Sequence, residues 1–558
     1  MKGKLNAVLT ASIDNCFEQG LFKKVALSDY VIEVPNNPDH GHFATNLPLT
    51  LASSQKRPPR EIAAAIIEHL KDAKHVVERV EVAGPGFINF WIRPEEWYRG
   101  LSGIIKLEDD YGRSDAGGGE KILVEFVSAN PTGPLHIGHG RGAALGDTLC
   151  MILSFCGYDV VREFYINDAG QQLRLLGESI FSRFMQIDDP EYPFPENGYH
   201  GDYVTDLAET ISTETDLRNL SGEDAIQICS QKGKDIMFEE IRETLAQFGV
   251  NFDVWYSETK LFSSGMVKRT LDTLRAKGHL YEHEGAEWIK TSDFGDDKDR
   301  VIRKKDGHFT YFASDISYHS EKQERGFKRA INIWGADHHG YVPRMKSALL
   351  AQGFPEAWLS VMLIQLVKLW QGGQEKKMSK RAGVFVTLQE LINEVGVDAV
   401  RFVFLTKNHD SPLDFDIDIV KKQDSENPVY YVQYAHARIC SIFRKAAAEG
   451  ISLPEKPEGL LQHLVLDQEM ALIRSMAVFP PLLEDISRSL EPHRLTYYLT
   501  DLAALFHRYF NLGTKTPAHR IVTHDMELSQ ARLFLAKAVR VVIANGLRLL
   551  GVSAPERM

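Results

Sequence analysis

Residues 121–147 read KILVEFVSANPTGPLHIGHGRGAALGD, and this stretch decides how the rest of the chain is organised. Ile122-Leu123-Val124 and Phe126-Val127 form a short apolar, β-branched run, the composition of a buried strand. Ser128-Ala129-Asn130-Pro131-Thr132-Gly133-Pro134 is rich in turn residues and ends that strand. His136-Ile137-Gly138-His139-Gly140-Arg141-Gly142 then opens a segment of Ala, Leu and Gly that suits a tightly packed helix. Strand, glycine-rich turn, helix is how an α/β sheet offers a helix N-terminus to a phosphate. The two histidines, three apart, share one side of the first turn and can face one ligand. Alone, such a pair also fits a surface or packing role, or half of a zinc site. No Cys cluster completes a tetrahedral set, however.

A second motif stands about 240 residues later. Lys376-Lys377-Met378-Ser379-Lys380-Arg381-Ala382-Gly383 follows a strand-like run, Val361 to Val367, and a Gln371-Gly372-Gly373 turn. Its clustered cations make a sink for phosphate charge, or else a solvated basic loop. HIGH followed by KMSK is far more specific than either motif alone. The sequence here resembles the class I aminoacyl-tRNA synthetases, which carry both motifs on a Rossmann-like catalytic domain. FYINDAGQQ (164–172), WGADHHGYVPRMK (334–346), QLVKLWQGG (365–373) and NPVYYVQYAHAR (427–438) narrow the resemblance to the arginyl-tRNA synthetases. So do HGHFATNLPLTLA (40–52), VAGPGFINFWI (82–92) and GLRLLGVSAPERM (546–558), so the likeness covers nearly the whole chain.

Composition sets outer bounds. A chain of 558 residues is too long for one core. With 44% hydrophobic and 25% charged residues it reads as an ordinary globular protein. No apolar stretch approaches a membrane span, and the N-terminus lacks a signal-peptide core, which together with the resemblance implies a cytoplasmic protein without a membrane partner. The five cysteines lack CxxC spacing, which fits a reducing compartment. A net charge of −12 argues against a protein that coats DNA or RNA indiscriminately. From residue 431 onward, 15 Lys/Arg stand against 12 Asp/Glu, so this part is mildly basic and suits local tRNA contacts.

The expected fold class is α/β and multidomain: a Rossmann-like parallel-sheet catalytic domain with an insertion, an N-terminal α+β module and a C-terminal all-α helical bundle. The module spans 1–115, with a helix after Pro58-Pro59 and strands at 80–82 and 87–91 around a Gly-Pro-Gly turn. His40 and His42 read as structural. Asp115-Ala116-Gly117-Gly118-Gly119 reads as a flexible linker. The catalytic domain takes 116–386, interrupted over about 170–325, with strands at 160–166, 330–334 and 361–368. A connecting stem follows over 387–426, in which Asp398-Ala399-Val400-Arg401 stands where DALR is common in the resembled group. Residues 427–558 show helical periodicity and read as the anticodon-binding domain. There Tyr430, Tyr431, Tyr434, His436 and Arg438 bring aromatics and cations together as a stacking surface for unpaired bases.

The resemblance implies site roles, residue by residue. His136, His139, Lys377 and Lys380 would be catalytic, stabilising charge on the phosphates. Pro134, Gly138, both histidines, Gly335, Asp337, Val367, Met378, Ser379 and Lys380 would contact ATP. The pocket for arginine would draw on Glu125, Ser128, Asn130, His139, Tyr311, Asp315 and His338. Tyr311 and Asp315, at i and i+4, share a face if their segment is helical. A guanidinium calls for carboxylates and planar acceptors, because its donors form a rigid fork. Glu125 would meet either the guanidinium or the α-ammonium. Tyr431, Tyr434 and Arg438 would bind tRNA. ATP would bring Mg2+ on its phosphates, without a dedicated protein metal site. The partners are then tRNA-Arg, ATP and L-arginine, and the chain would act as a monomer. Members of the family usually need tRNA bound before arginine is activated. The rival readings are a synthetase of the same class with another amino acid, a non-catalytic tRNA-binding paralogue, and a metal-dependent hydrolase.

Overall fold

Lys121–Glu125 forms the central strand of a five-stranded parallel sheet, where an apolar run buried on both faces belongs. In this computed structural model, residues 1–27, 30–35, 37–70, 75–168, 170–376, 386–457 and 459–558 are described. Across the sheet the order is Leu359–Ile364, Arg329–Gly335, Lys121–Glu125, Asp159–Ile166 and Val254–Ser257, every neighbouring pair parallel. The chain runs outward from the centre in one direction, then returns to the other side of the first strand. The carboxyl ends of Lys121–Glu125 and Arg329–Gly335 therefore flank the point where the order reverses, where such sheets bind ligands. The motif helix, Ile137–Phe155, packs against one face. Its Gly146 lies so close to Phe126 that a Cβ there would sit 2.3 Å from the ring. Glu125, next in the strand, faces the opposite way, toward the helix Tyr311–Glu324.

Three expectations are corrected here. The strand expected over 361–368 is two. Leu359–Ile364 closes the parallel sheet, whereas Val367–Gln371 lies between Gln374–Lys376 and Leu413–Asp416 in a separate three-stranded sheet. A nearly unbroken apolar run conceals the break, at which Leu366 is 76% exposed. The interruption expected over about 170–325 also contains the edge strand Val254–Ser257, a four-residue element too short to show periodicity. What leaves the sheet is helical over 171–247 and an antiparallel three-stranded sheet over 280–303. The Gly117–Gly119 stretch is no loose linker. Gly117 and Gly119 donate to the carbonyls of Cys156 and Gly157, both at 2.8 Å, and a Cβ on Gly117 would strike Tyr158. Composition read flexibility where close approach was the requirement.

This sheet belongs to a unit made of Gly112–Arg438, Pro480–Ala503 and Ile543–Met558. A second unit comprises Met1–Tyr111, Ile439–Phe479 and Ala504–Val542. In it a four-stranded antiparallel sheet contains Val77–Ala83 and Phe87–Ile92, and a helix does begin at Pro59. His42 is structural as expected: its Nδ1 accepts from the Ile92 amide at 2.8 Å, and burial lowers its pKa to about 4. The C-terminal part is helical in both units, in long segments such as Pro428–Ala448, His493–Lys515 and Met526–Leu549. No helix among the described residues is long and apolar enough to cross a membrane.

Candidate active site

The turn after the central strand is held in a sterically costly form. Val127 and Ser128 have φ of +67° and +41°, which a β-branched residue rarely adopts. The Ser128 amide donates to the Phe126 carbonyl at 2.9 Å, closing a γ-turn about Val127. The Ser128 hydroxyl completes the clamp, accepting from the Tyr165 amide at 3.1 Å and donating to Glu125 Oε1 at 3.2 Å. Farther on, Tyr203 from the inserted helices donates to the Thr132 carbonyl at 2.8 Å. Asn130 reaches Gln172 Oε1 at 2.6 Å. Strain at a strand end facing the crevice marks a site rather than a fault.

The histidines follow at the start of the motif helix. His136 Nδ1 accepts from the amides of Gly138 and His139, at 3.1 and 3.3 Å, and His139 Nδ1 accepts from the His136 amide at 3.3 Å. The two rings stack with centroids 3.7 Å apart. A neutral imidazole accepting at Nδ1 carries its proton on Nε2, so each ring offers a donor from that edge. Amides that a helix N-terminus commonly offers an anion are here taken by a side chain, Gly138's among them. Gly138 leaves room for the folded-back ring, 3.0 Å from where its Cβ would be.

The segment carrying Lys377, Met378, Ser379 and Lys380 lies outside the described residues. Both of its flanks have a defined place. Lys376 ends the hairpin strand paired with Leu369. Thr387 bridges His136, and the Leu388 amide donates to the Leu135 carbonyl at 2.7 Å. Of the two flanks, Lys376 thus belongs to the hairpin and Thr387 lies beside the histidine motif. Val367 is buried in the hairpin and Pro134 half-buried before the helix.

Across the crevice, Gly335 ends its strand, and Asp337 and His338 stand exposed on the following turn. The Asp337 carboxylate curls back to 2.5 Å from where a Cβ on Gly335 would be. On the other face of the sheet, Tyr311 and Asp315 do lie in one helix. Tyr311 is 69% exposed, with its hydroxyl close to Gly170, while Asp315 points inward and accepts a hydrogen bond from Tyr341. Burial, reinforced by the charges of Glu125 and Glu258, pushes the Asp315 carboxyl up to about 7. Glu258 is shifted upward too, again chiefly by burial. Glu125 is 6% exposed and ion-paired with Lys322 at 2.6 Å. Several carboxylates therefore converge in a poorly solvated place where burial shifts Asp315 and Glu258 upward.

Sequence reasoning missed Tyr341, Lys322 and Glu163. For Lys322 a signal existed: it lies seven residues after Asp315, on the same inward stripe. Of the tRNA candidates, Tyr434 stacks on Tyr430 with centroids 5.6 Å apart, and the Arg438 guanidinium lies 4.4 Å from the Tyr434 ring centre. Tyr430, Tyr434 and Arg438 thus form a half-exposed column at i, i+4 and i+8 of one helix. Tyr431 is half-buried on the same helix. His436 does not join them: it is buried, with Nδ1 2.9 Å from the Pro555 carbonyl, because its position falls on the packed stripe.

Comparison with known proteins bears on this arrangement. The family model described as "tRNA synthetases class I (R), catalytic domain" matches residues 103–416. "Arginyl tRNA synthetase N terminal domain" matches 3–92, and "DALR anticodon binding domain" matches 432–558. An arginine–tRNA ligase of Desulfosudis oleivorans is 48% identical over 562 residues, covering 100% of both chains. Among solved structures, a putative arginyl-tRNA synthetase of Campylobacter jejuni is 35% identical, with a TM-score of 0.74, covering 84% of this chain and 100% of that one. The arginyl-tRNA synthetase of Thermus thermophilus aligns at a TM-score of 0.78 and 22% identity, covering 99% of this chain and 100% of that one, and speaks for the fold.

Proposed function

This chain belongs to the arginyl-tRNA synthetases of class I, and from that premise we propose how its residues divide the work. It is an aminoacyl-tRNA ligase that activates arginine with ATP and joins it to tRNA. A carboxylate oxygen of arginine attacks the α-phosphorus, the bond to the leaving pyrophosphate breaks, and arginyl-adenylate forms. A ribose hydroxyl of the tRNA 3′ adenosine then attacks the adenylate carbonyl carbon, and AMP leaves. The protein forms no covalent bond, so its contribution is alignment and charge stabilisation.

The observation that carries the pocket assignment is the carboxylate cluster of Asp315, Glu125 and Glu258, in which burial and like charge shift Asp315 upward, beside the carboxyl end of the central strand. Asp315 and Tyr311 take the guanidinium, while Glu125, Ser128, Asn130, His139 and His338 surround the amino-acid end. His136 and His139 donate to the phosphates through Nε2, and Lys377 and Lys380 close over the pyrophosphate as their loop moves. Pro134, Gly138, Gly335, Asp337, Val367, Met378 and Ser379 line the nucleotide. Magnesium arrives on the ATP phosphates, since imidazoles and backbone, rather than a carboxylate cage, face them. Residues 1–115 touch the body of the tRNA and 427–558 its anticodon. The chain works as a cytoplasmic monomer.

ATP–pyrophosphate exchange across the twenty amino acids, with and without total tRNA, tests this. Exchange is expected with arginine alone, and on addition of tRNA. Exchange with another amino acid would keep the class and overturn the pocket. None under any condition, with tRNA still bound, would make the chain a binding protein.

Two substitutions probe the parts. His136→Asn keeps a side-chain acceptor suited to the helix N-cap, so the protein folds, while its phosphate donor is gone. Exchange should fall on the order of a hundred- to a thousandfold, as for loss of one preorganised donor worth about 2–4 kcal/mol. An unchanged rate would remove His136 from the machinery. Tyr434→Ala removes a stacking ring worth about 1–3 kcal/mol per base. The KM for tRNA should rise roughly five- to a hundredfold while the KM for arginine stays put, measured by aminoacylation at varied tRNA.

A further inference from the structure

Beneath the pocket lies a row of polar side chains that the reaction as described does not use. Asn332, Glu125 and Glu163 sit opposite one another on three adjacent strands, so all three project from the same face in the middle of the sheet. Asn332 and Glu163 are fully buried. Such groups persist in a core when they are partnered, and here, apart from Ser128 on Glu125, the side-chain partners come from the Tyr311–Glu324 helix or the residue after it. Lys322, itself 0% exposed, donates to Glu125 Oε2 at 2.6 Å and to Asn332 Oδ1 at 3.3 Å. His319 lies 3.0 Å from Asn332 through Nε2 and 2.7 Å from the Asp315 carbonyl through Nδ1. Tyr318 donates to Glu163 Oε1 at 2.6 Å, and Arg325 pairs with Glu163 Oε2 at 2.6 Å.

The same helix bears Tyr311 and Asp315 at its N-terminal end. The polar row thus fixes its rotation and its height against the sheet. A core of this density converts a slip of one position into a misplaced carboxylate. The ammonium of Lys322 also bears on both acidic groups that line the pocket. It is paired with Glu125, and its charge acts on Asp315, which faces Glu125 and Glu258 as like charges and Tyr341 as a donor.

We propose that Lys322 is a positioning residue for arginine: a buried counter-ion that neutralises Glu125 and pegs the pocket helix to the Asn332–Glu125–Glu163 row. It touches no substrate atom and acts through Glu125 and Asp315. The proposal rests on the pocket assignment above.

Lys322→Met in the full-length protein is the test, read by tRNA-dependent ATP–pyrophosphate exchange. The KM for arginine should rise by more than about tenfold while the KM for ATP stays within about twofold, since only the amino-acid side loses its anchor. The acid limb of kcat/KM for arginine should also move to higher pH. Without the ammonium, Asp315 holds its proton more tightly, which raises the pH at which the pocket is charged. Glu125→Gln/Lys322→Met replaces the buried pair by neutral groups of similar size and covers the case in which the single variant fails to fold. It should fold and keep the raised KM for arginine. Arginine and ATP KM values rising together, an unmoved pH limb in the single variant, or a wild-type arginine KM in the double variant would each overturn the proposal. The unaltered enzyme failing to exchange with arginine would instead overturn the pocket assignment.

Discussion

Asp315→Asn should lower kcat/KM for arginine on the order of a thousandfold, with the KM for ATP nearly unchanged. The reasoning starts from the environment of the carboxyl. Burial and the neighbouring Glu125 and Glu258 raise its pKa to about 7, while Tyr341 donates to it. A guanidinium entering this place exchanges a proton for a fixed, forked cation, and charge-assisted bonds in a poorly solvated site are the strong kind. Removing one partner of such a pair costs about 3–5 kcal/mol, each 1.36 kcal/mol being tenfold in rate. The pH dependence follows with a definite sign. Below about pH 7 the free pocket holds its proton, so arginine affinity should climb as pH rises through 7 and level off above it. Titration calorimetry in buffers of different ionisation enthalpy should detect proton release on arginine binding near neutrality. For stability the sign is opposite. A folded-state pKa above the unfolded value of 3.8 means that the folded protein loses stability as pH rises from about 4 through 7. Asp315→Asn should therefore melt at a higher temperature than the parent at pH 8. A variant that charges arginine normally, or that melts lower at pH 8, would refute the assignment.

Arg401→Met should destabilise the protein by about 3–5 kcal/mol, roughly 10 °C in melting temperature, without touching the pocket. Arg401 is the arginine of the Asp398-Ala399-Val400-Arg401 segment, and it is completely buried. Its guanidinium donates to the Leu550 carbonyl at 2.9 Å, the Phe248 carbonyl at 3.1 Å and Asp147 Oδ2 at 2.6 Å. Gly551 makes room: a Cβ there would lie 2.2 Å from the guanidinium. Methionine fills the volume but leaves two carbonyls without their donor and Asp147 with only the more distant Arg162 at 3.4 Å. Thermal melts would show the loss, and Asp147→Leu in the same chain should recover part of it, because removing both charges ends the burial of an uncompensated one. Exchange kinetics at 25 °C should stay close to the parent's. A variant that melts like the parent would show that the three hydrogen bonds contribute little.

Much of this protein was legible in the linear sequence. The central strand, the break at Asn130–Pro134, the motif helix and the long C-terminal helices follow from periodicity and turn chemistry, which are local properties. That Tyr311 and Asp315 lie on one helix was legible for the same reason, but not that Asp315 turns inward while Tyr311 stays 69% exposed. The misreadings arose where a local signal had two meanings. Glycines at 117–119 signal freedom or close contact alike, and the run 361–368 serves two sheets in turn.

What the sequence alone determined was the kind of most of the long elements and the family. What only tertiary structure decided was which charges are compensated. Lys322 meets Glu125 across 197 residues, and Arg401 meets Asp147 across 254. A charge's protonation and its energetic weight depend on the dielectric around it and on its nearest counter-charge, and neither is a property of its neighbours along the chain. Asp315 is therefore an ordinary aspartate in the sequence. It becomes a group titrating near 7, ready for a cation, only when strands and helices distant in sequence close around it.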